Sequence, residues 1–228
     1  MSNHEVLQEL YPFLHGAKQD AGKMHLALLE SVRQKAEDSV DTKRKFFEQN
    51  AAAVVAVAQA IADIYRRDGR LYCMGNGGSS CDAAHIAVEF LHPVTAGRPA
   101  LPAVNLVTDA AMMTAVGNDV GFDHVFVRQV IAQARSGDGL IGISTSGNSE
   151  NLLSAFRKAK EMGVVTIGLS GYDGGKMASA ALDHCLVVAS NSIHRIQETH
   201  VAIYHILWDL THTLLADDRG GLARRSAS

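Results

Sequence analysis

From residue 70 onward the sequence alternates short apolar runs with stretches of helical periodicity, and that alternation leaves few folds open. The runs are Arg70–Met74, Ala103–Leu106, Gly139–Ser144, Val164–Leu169 and His184–Val188, each ended by Gly, Ser, Thr or Asn. Helical patterns fill the intervals at about 80–92, 109–116, 122–134, 149–162 and 174–181, and a long one follows at about 195–216. Strands joined through helices lie parallel, with helices on both faces. The expectation is α/β: a flavodoxin-like, doubly wound, five-stranded parallel sheet that takes ligands at the carboxyl ends of its strands.

Residues 1–68 carry no strand pattern and read as an N-terminal helical extension of two or three helices, with Gly16 and Gly22 as breaks and Asp41 or Thr42 as a cap. Their apolar stripe, through Met24, Leu28, Leu29 and Val32 and again from Phe46 to Ile64, calls for a partner surface. These helices are expected to pack on the main domain, residues 69–216, and on neighbouring subunits. Residues 217–228 form a polar tail expected to be disordered.

A formal charge of −3 and a pI near 6.4 give no electrostatic argument for nucleic acid or an anionic membrane. No apolar run approaches the roughly 20 residues of a membrane span, and no signal peptide opens the sequence, so a cytoplasmic protein is expected. Three cysteines cannot all pair, and none lies in a C-x-x-C spacing. Cys73 and Cys185 fall in strand-like runs as reduced, buried thiols, and Cys81 opens a helix.

Two loops carry the chemistry. The first is Gly75-Asn76-Gly77-Gly78-Ser79 between a strand and a helix. Backbone N–H groups at such a turn and in the first helical turn lack partners and bind anions. His85 and Glu89 follow four residues apart, on one helix face, a spacing that can bring two ligands to one metal. A dinucleotide loop is disfavoured: Ser80 stands where its third glycine belongs, and Asn105 and Leu106 end the second strand where an acidic residue would take a ribose. The second loop is Ser144-Thr145-Ser146-Gly147-Asn148-Ser149, whose four hydroxyls, backbone N–H groups and helix dipole suit a phosphate. A helix cap needs only Ser149.

The final helix carries Gln197, Glu198, His200, His205 and His212 among apolar residues, where a lone histidine is more often a core residue than a ligand. Gln197 and His205 are separated by about 80° and on the order of 12 Å along a regular helix. They converge on one ion only if the helix starts irregularly or two subunits contribute. Asn118-Asp119 sits at a helix end, where capping explains it adequately.

Taken together, G-N-G-G-S followed by D-A-x-H-x-x-x-E, then A-V-G-N-D, I-S-T-S-G-N-S, G-Y-D-G-G-K-M-A and R-I-Q-E-x-H-x-x-x-x-H resemble the sugar isomerase (SIS) domain family, and within it the bacterial phosphoheptose isomerases. The likeness runs from about residue 45 to 216. It implies conversion of sedoheptulose 7-phosphate to D-glycero-D-manno-heptose 7-phosphate for heptose nucleotide biosynthesis, by a homotetramer with active sites between subunits. It implies one zinc per subunit at His85, Glu89, Gln197 and His205. It further implies phosphate binding by Ser144, Thr145, Ser146 and Ser149, and a sugar site lined by Asn76, Gly77, Gly78, Ser79, Glu89, Asn118, Asp119 and Gln197.

The side chains suit this chemistry, since a ketose becomes an aldose by moving a proton between adjacent carbons through an enediol. Glu89 is the candidate base and His205 the candidate acid. A tightly held zinc would weaken Glu89 as a base, so a labile ion is expected. His194 stands where several members carry Asp, Val88 precedes the glutamate, Leu91-His92-Pro93-Val94 departs from the usual helix exit, and the N-terminal segment is long. The alternatives are a non-catalytic SIS-domain adaptor that binds the replication initiator DnaA, which has no need of Glu89 and His205, or an isomerase of another phosphosugar.

Overall fold

Residues 21–216 are described by a computed structural model, so the expected break at Gly16 and the tail at 217–228 lie outside the described residues. The chain divides into two units, Met1–Asp38 and Ser39–Ser228. In the first, the described residues are helical, and Leu26, Leu28, Leu29 and Val32 are exposed. Helix α1 spans Ala21–Arg66, which corrects the expected two or three helices over that range. No Gly or Pro interrupts the sequence between Lys23 and Asp68. Asp41 accepts from the Arg44 guanidinium 2.6 Å away along the helix surface, so it does not act as a cap.

The second unit holds the sheet. In chain order it contains β1 (Leu71–Gly75), α2 (Gly78–Leu91), β2 (Ala103–Asn105), α3 (Ala110–Asp119), α4 (Val127–Gln133), β3 (Gly139–Ser144), α5 (Glu150–Glu161), β4 (Val165–Gly171), α6 (Gly175–Ser179), β5 (His184–Val188) and α7 (Ile193–Leu214). All pairings are parallel, in the order β2-β1-β3-β4-β5. The five expected strands and the flavodoxin-like order are therefore present.

Successive strand residues point to opposite faces, and both faces are covered. Leu71, Cys73, Ile141, Ile143, Ile167 and Leu169 pack with α1, α2 and α7 through Ile61, Ile86, Phe90, Ile203 and Leu207. Tyr72, Met74 and Leu140 pack on the other face with Val130, Phe156 and Met177. The helix expected over 122–134 is instead a 3-10 turn at Phe122–His124 followed by α4, because the chain turns to bury Val125 and Phe126 fully between them. Helix α3 continues to Asp119, so Asn118 and Asp119 belong to its last turn and are not caps.

The direction of strand addition reverses at β1: β2 lies on one side of it and β3 on the other. Clefts form at the carboxyl ends of strands at such a reversal. The loop after β1 and the loop after β3 flank this point, and they are the two loops picked out in the sequence.

Candidate active site

In the first loop the strand gives way to helix within two residues. Gly77 takes φ 54° and ψ −124°, a conformation that side chains disfavour. Ser79 N–H donates to the Asn76 carbonyl at 3.0 Å and Ser80 N–H to the Gly77 carbonyl at 3.0 Å. Gly77 precedes α2 with no side chain to cap it, which leaves the helix end suited to an anion. At Gly78 a side chain would meet the Gln197 amide, so the start of α7 is seated directly on the loop. Asn76 and the buried Asn151 pair amide to amide, each donating to the other's Oδ1 at 2.9 Å. This joins the first loop to the opening turn of α5.

The second loop is braced from behind by α6. Asn148 donates to the Ser146 carbonyl at 2.9 Å and accepts from Lys176 N–H at 3.0 Å. Met177 N–H donates to the Gly147 carbonyl at 2.9 Å, and Gly147 lies so close to the Gly174 carbonyl that a side chain could not fit. Ser149 occupies the N-cap position of α5, but its hydroxyl does not cap; it pairs with the buried Ser144 hydroxyl at 2.9 Å. The hydroxyl cluster thus has a bonding pattern that capping does not account for. Ser146 is exposed and Thr145 partly buried beside it.

Beyond the first loop, α2 and α7 run side by side in the same direction: Gly78 meets Gln197 at one level, and His85 meets His205 seven and eight residues further on. His85 Nε2 lies 3.1 Å from Glu89 Oε1, and the His85 and His205 rings stand nearly perpendicular with centroids 5.0 Å apart. Ligand atoms of His85, Glu89 and His205 all lie within 4.8 Å of one another. Two imidazoles and a carboxylate are a donor set that zinc accepts, with a position left for water or substrate.

Helix α7 is regular from Ile193, with the Ser192 hydroxyl accepting from Arg195 N–H at 3.5 Å. A regular helix keeps Gln197 about two turns from His205. The structure therefore brings together three of the four expected metal ligands within the chain and places Gln197 at the glycine loop. Asn118 and Asp119 are exposed and bond to each other, Asn118 Nδ2 donating to Asp119 Oδ1 at 2.9 Å.

Three residues near the site were not singled out by sequence reasoning. Asn151 is one. The others are Asp82, which is buried on the same face of α2 as His85, and Tyr204, whose hydroxyl lies 2.8 Å from His85 Nδ1. Burial pushes the Asp82 carboxyl up from the usual carboxylate range, while His85 and the Tyr204 hydroxyl draw it back down. Burial, then the Asp82 carboxylate, and further the Glu89 carboxylate hold the Tyr204 hydroxyl well above the usual phenol range, so it stays protonated. Asp82 was legible as a further α2 residue one turn before His85; Asn151 and Tyr204 left no comparable signal. Trp208 donates its indole N–H to the Glu89 carbonyl at 2.8 Å, and the Arg98 guanidinium lies 4.3 Å over its ring. His200, by contrast, is a core residue that donates Nε2–H to the Ser170 carbonyl at 3.0 Å.

A profile of the SIS domain matches residues 36–171. The chain belongs to the SIS domain family, and within it to the phosphoheptose isomerases. A phosphoheptose isomerase of Desulfovibrio desulfuricans is 43% identical over 201 residues, covering 88% of this chain and 95% of the relative. The solved phosphoheptose isomerase GmhA from Neisseria gonorrhoeae superposes with a TM-score of 0.77 at 39% identity, covering 82% of this chain and 99% of that one. A phosphoheptose isomerase from Francisella tularensis gives a TM-score of 0.78 at 35% identity, covering 81% and 98%.

Proposed function

We propose that the chain interconverts sedoheptulose 7-phosphate and D-glycero-D-manno-heptose 7-phosphate as an aldose–ketose isomerase serving heptose nucleotide biosynthesis. The observation that carries the reading is the convergence of His85, Glu89 and His205 beyond a glycine loop at the topological switch point. Relatives named phosphoheptose isomerase, matched along most of their length, support the substrate.

In this reading the sugar phosphate docks its phosphate among Ser144, Thr145, Ser146 and Ser149 and the N-terminus of α5. Asn76, Gly77, Gly78 and Ser79 receive the sugar chain. Glu89 removes the proton from the carbon beside the carbonyl and returns it to the neighbouring carbon, and His205 exchanges protons with the two oxygens of the enediol. His85, Glu89 and His205 would hold a labile zinc. When bound, the ion supplies Lewis-acid polarisation of the carbonyl oxygen.

Gln197 would reach a metal group from a neighbouring copy, which fits a homotetramer with sites between subunits. Asn118 and Asp119 would complete the sugar site, and helix α1 would pack across the assembly. Among the described residues no helix is long and apolar enough to cross a membrane, which is compatible with a cytoplasmic enzyme. An adaptor would have no use for the His/Glu/His convergence.

The test is an NMR assay with sedoheptulose 7-phosphate on wild type with zinc, on wild type with EDTA, and on Glu89→Gln. Formation of an aldose 7-phosphate that Glu89→Gln slows by roughly 10²–10⁴-fold supports the reading, and EDTA sensitivity supports the metal. A folded wild-type protein that leaves the ketose unchanged in all conditions overturns the substrate assignment.

A further inference from the structure

His85 offers its two ring nitrogens to different neighbours, and those neighbours bear on which of them carries the proton. Nδ1 lies 2.8 Å from the Tyr204 hydroxyl, and the buried Asp82 carboxyl interacts with that same hydroxyl. Tyr204 is 3% exposed, so bulk water does not compete for it. A phenol has one proton to give, and a carboxylate can only accept. With the Tyr204 proton directed to Asp82, the phenol oxygen accepts from His85 Nδ1–H. A neutral imidazole protonated at Nδ1 has a bare lone pair at Nε2. That lone pair faces Glu89 Oε1 at 3.1 Å, with His205 alongside. Acceptors facing each other at this distance repel unless a cation joins them, and an imidazole nitrogen freed in this way is the form that ligates a metal.

We propose that Tyr204, oriented by Asp82, fixes His85 as the Nδ1–H tautomer and thereby sets the affinity of His85, Glu89 and His205 for zinc. The inference rests on the metal reading of this site. Both are positioning residues, acting through His85. Adjacent positions on α7 supply the ligand His205 and the partner of the ligand His85, so one helix controls two corners of the donor set.

The test uses the full chain stripped of metal. Zinc affinity is read by competition with a chromogenic chelator, and the His85 tautomer from imidazole ¹⁵N shifts above neutral pH. Tyr204→Phe keeps the ring and removes the hydroxyl; it is expected to weaken zinc binding roughly 10- to 100-fold and release the Nδ1–H preference, with folding intact by circular dichroism. Asp82→Asn presents an amide that can donate to the phenol oxygen, sending the Tyr204 proton to His85 Nδ1 and the imidazole proton to Nε2. Glu89→Gln weakens zinc through the donor set while leaving the tautomer unchanged. Tyr204→Phe that binds zinc within about twofold of wild type, or a metal-free wild type with the proton on Nε2, overturns the proposal. Wild-type protein that takes up no zinc overturns the metal reading instead, and the shifts of Tyr204→Phe against wild type still decide whether Tyr204 sets His85.

Discussion

Asn76 and Asn151 close a reciprocal amide pair, two hydrogen bonds of 2.9 Å, between the loop after β1 and the first turn of α5. The pair fixes which N–H and which lone pair of Asn76 remain for the proposed contact with a sugar hydroxyl. Asn151→Ala strands the Asn76 amide and should cost about 1–3 kcal/mol of stability, read by urea denaturation. It should also raise KM for the phosphosugar more than it lowers kcat. An unchanged KM would show that Asn151 serves the fold alone.

Ser149 separates two roles that coincide at most helix starts. A serine that caps loses about 1 kcal/mol of stability on replacement by alanine. Here the hydroxyl bonds to Ser144, so Ser149→Ala should cost less than that. Inhibition by inorganic phosphate should weaken roughly tenfold or more, the scale of a hydrogen bond to a charged group. A large stability loss with unaltered phosphate inhibition would return Ser149 to the role of a cap.

Gly78→Ala tests the seating of α7 on the glycine loop. The new methyl would occupy the space of the Gln197 amide. The Gln197 amide, at the end of a flexible side chain, must swing aside while Gly78 itself is exposed, so stability should change by less than about 1 kcal/mol by thermal or urea unfolding. Substrate affinity should nevertheless fall, because Gln197 leaves the loop. A variant with wild-type KM would mean that the contact is slack.

Buried His200 gives the stability curve a defined acid slope. Burial lowers its pKa from 6.5 to about 4, and the hydrogen bond to Ser170 only partly opposes this. Between these values the unfolded chain binds a proton that the folded chain refuses, so stability rises with pH. The contribution is complete above about 6.5 and lost toward 4, by about 3 kcal/mol in all. Urea midpoints from pH 4.5 to 7 should therefore fall less steeply toward acid for His200→Gln than for wild type. Parallel slopes would sink the assignment.

The sheet was legible because its strands are buried on both faces, so that Leu71–Gly75 and Gly139–Ser144 read as short apolar runs cut off by loop residues. The His85/Glu89 pair was legible because i,i+4 spacing is a local property of one helix. Tyr204 was not: its meaning depends on a contact across 119 residues of sequence, and beside His205 it reads as another apolar-face aromatic. Asn151 was hidden for the same reason, its partner Asn76 being 75 residues away. The continuity of α1 past Asp41 escaped notice because a capping side chain and a surface ion-pair partner look alike in sequence. Here Arg44 lay three residues away to claim the carboxylate.

Trp208 is the single tryptophan of the sequence, and its indole is bonded to the backbone of Glu89. The chain thus carries an intrinsic fluorophore bonded to the residue proposed as the catalytic base, with a guanidinium 4.3 Å over its ring. Emission from the unlabelled protein would follow zinc or sugar phosphate arriving at α2 in real time. Rapid-mixing traces could then order metal uptake, substrate binding and turnover without a reporter being introduced.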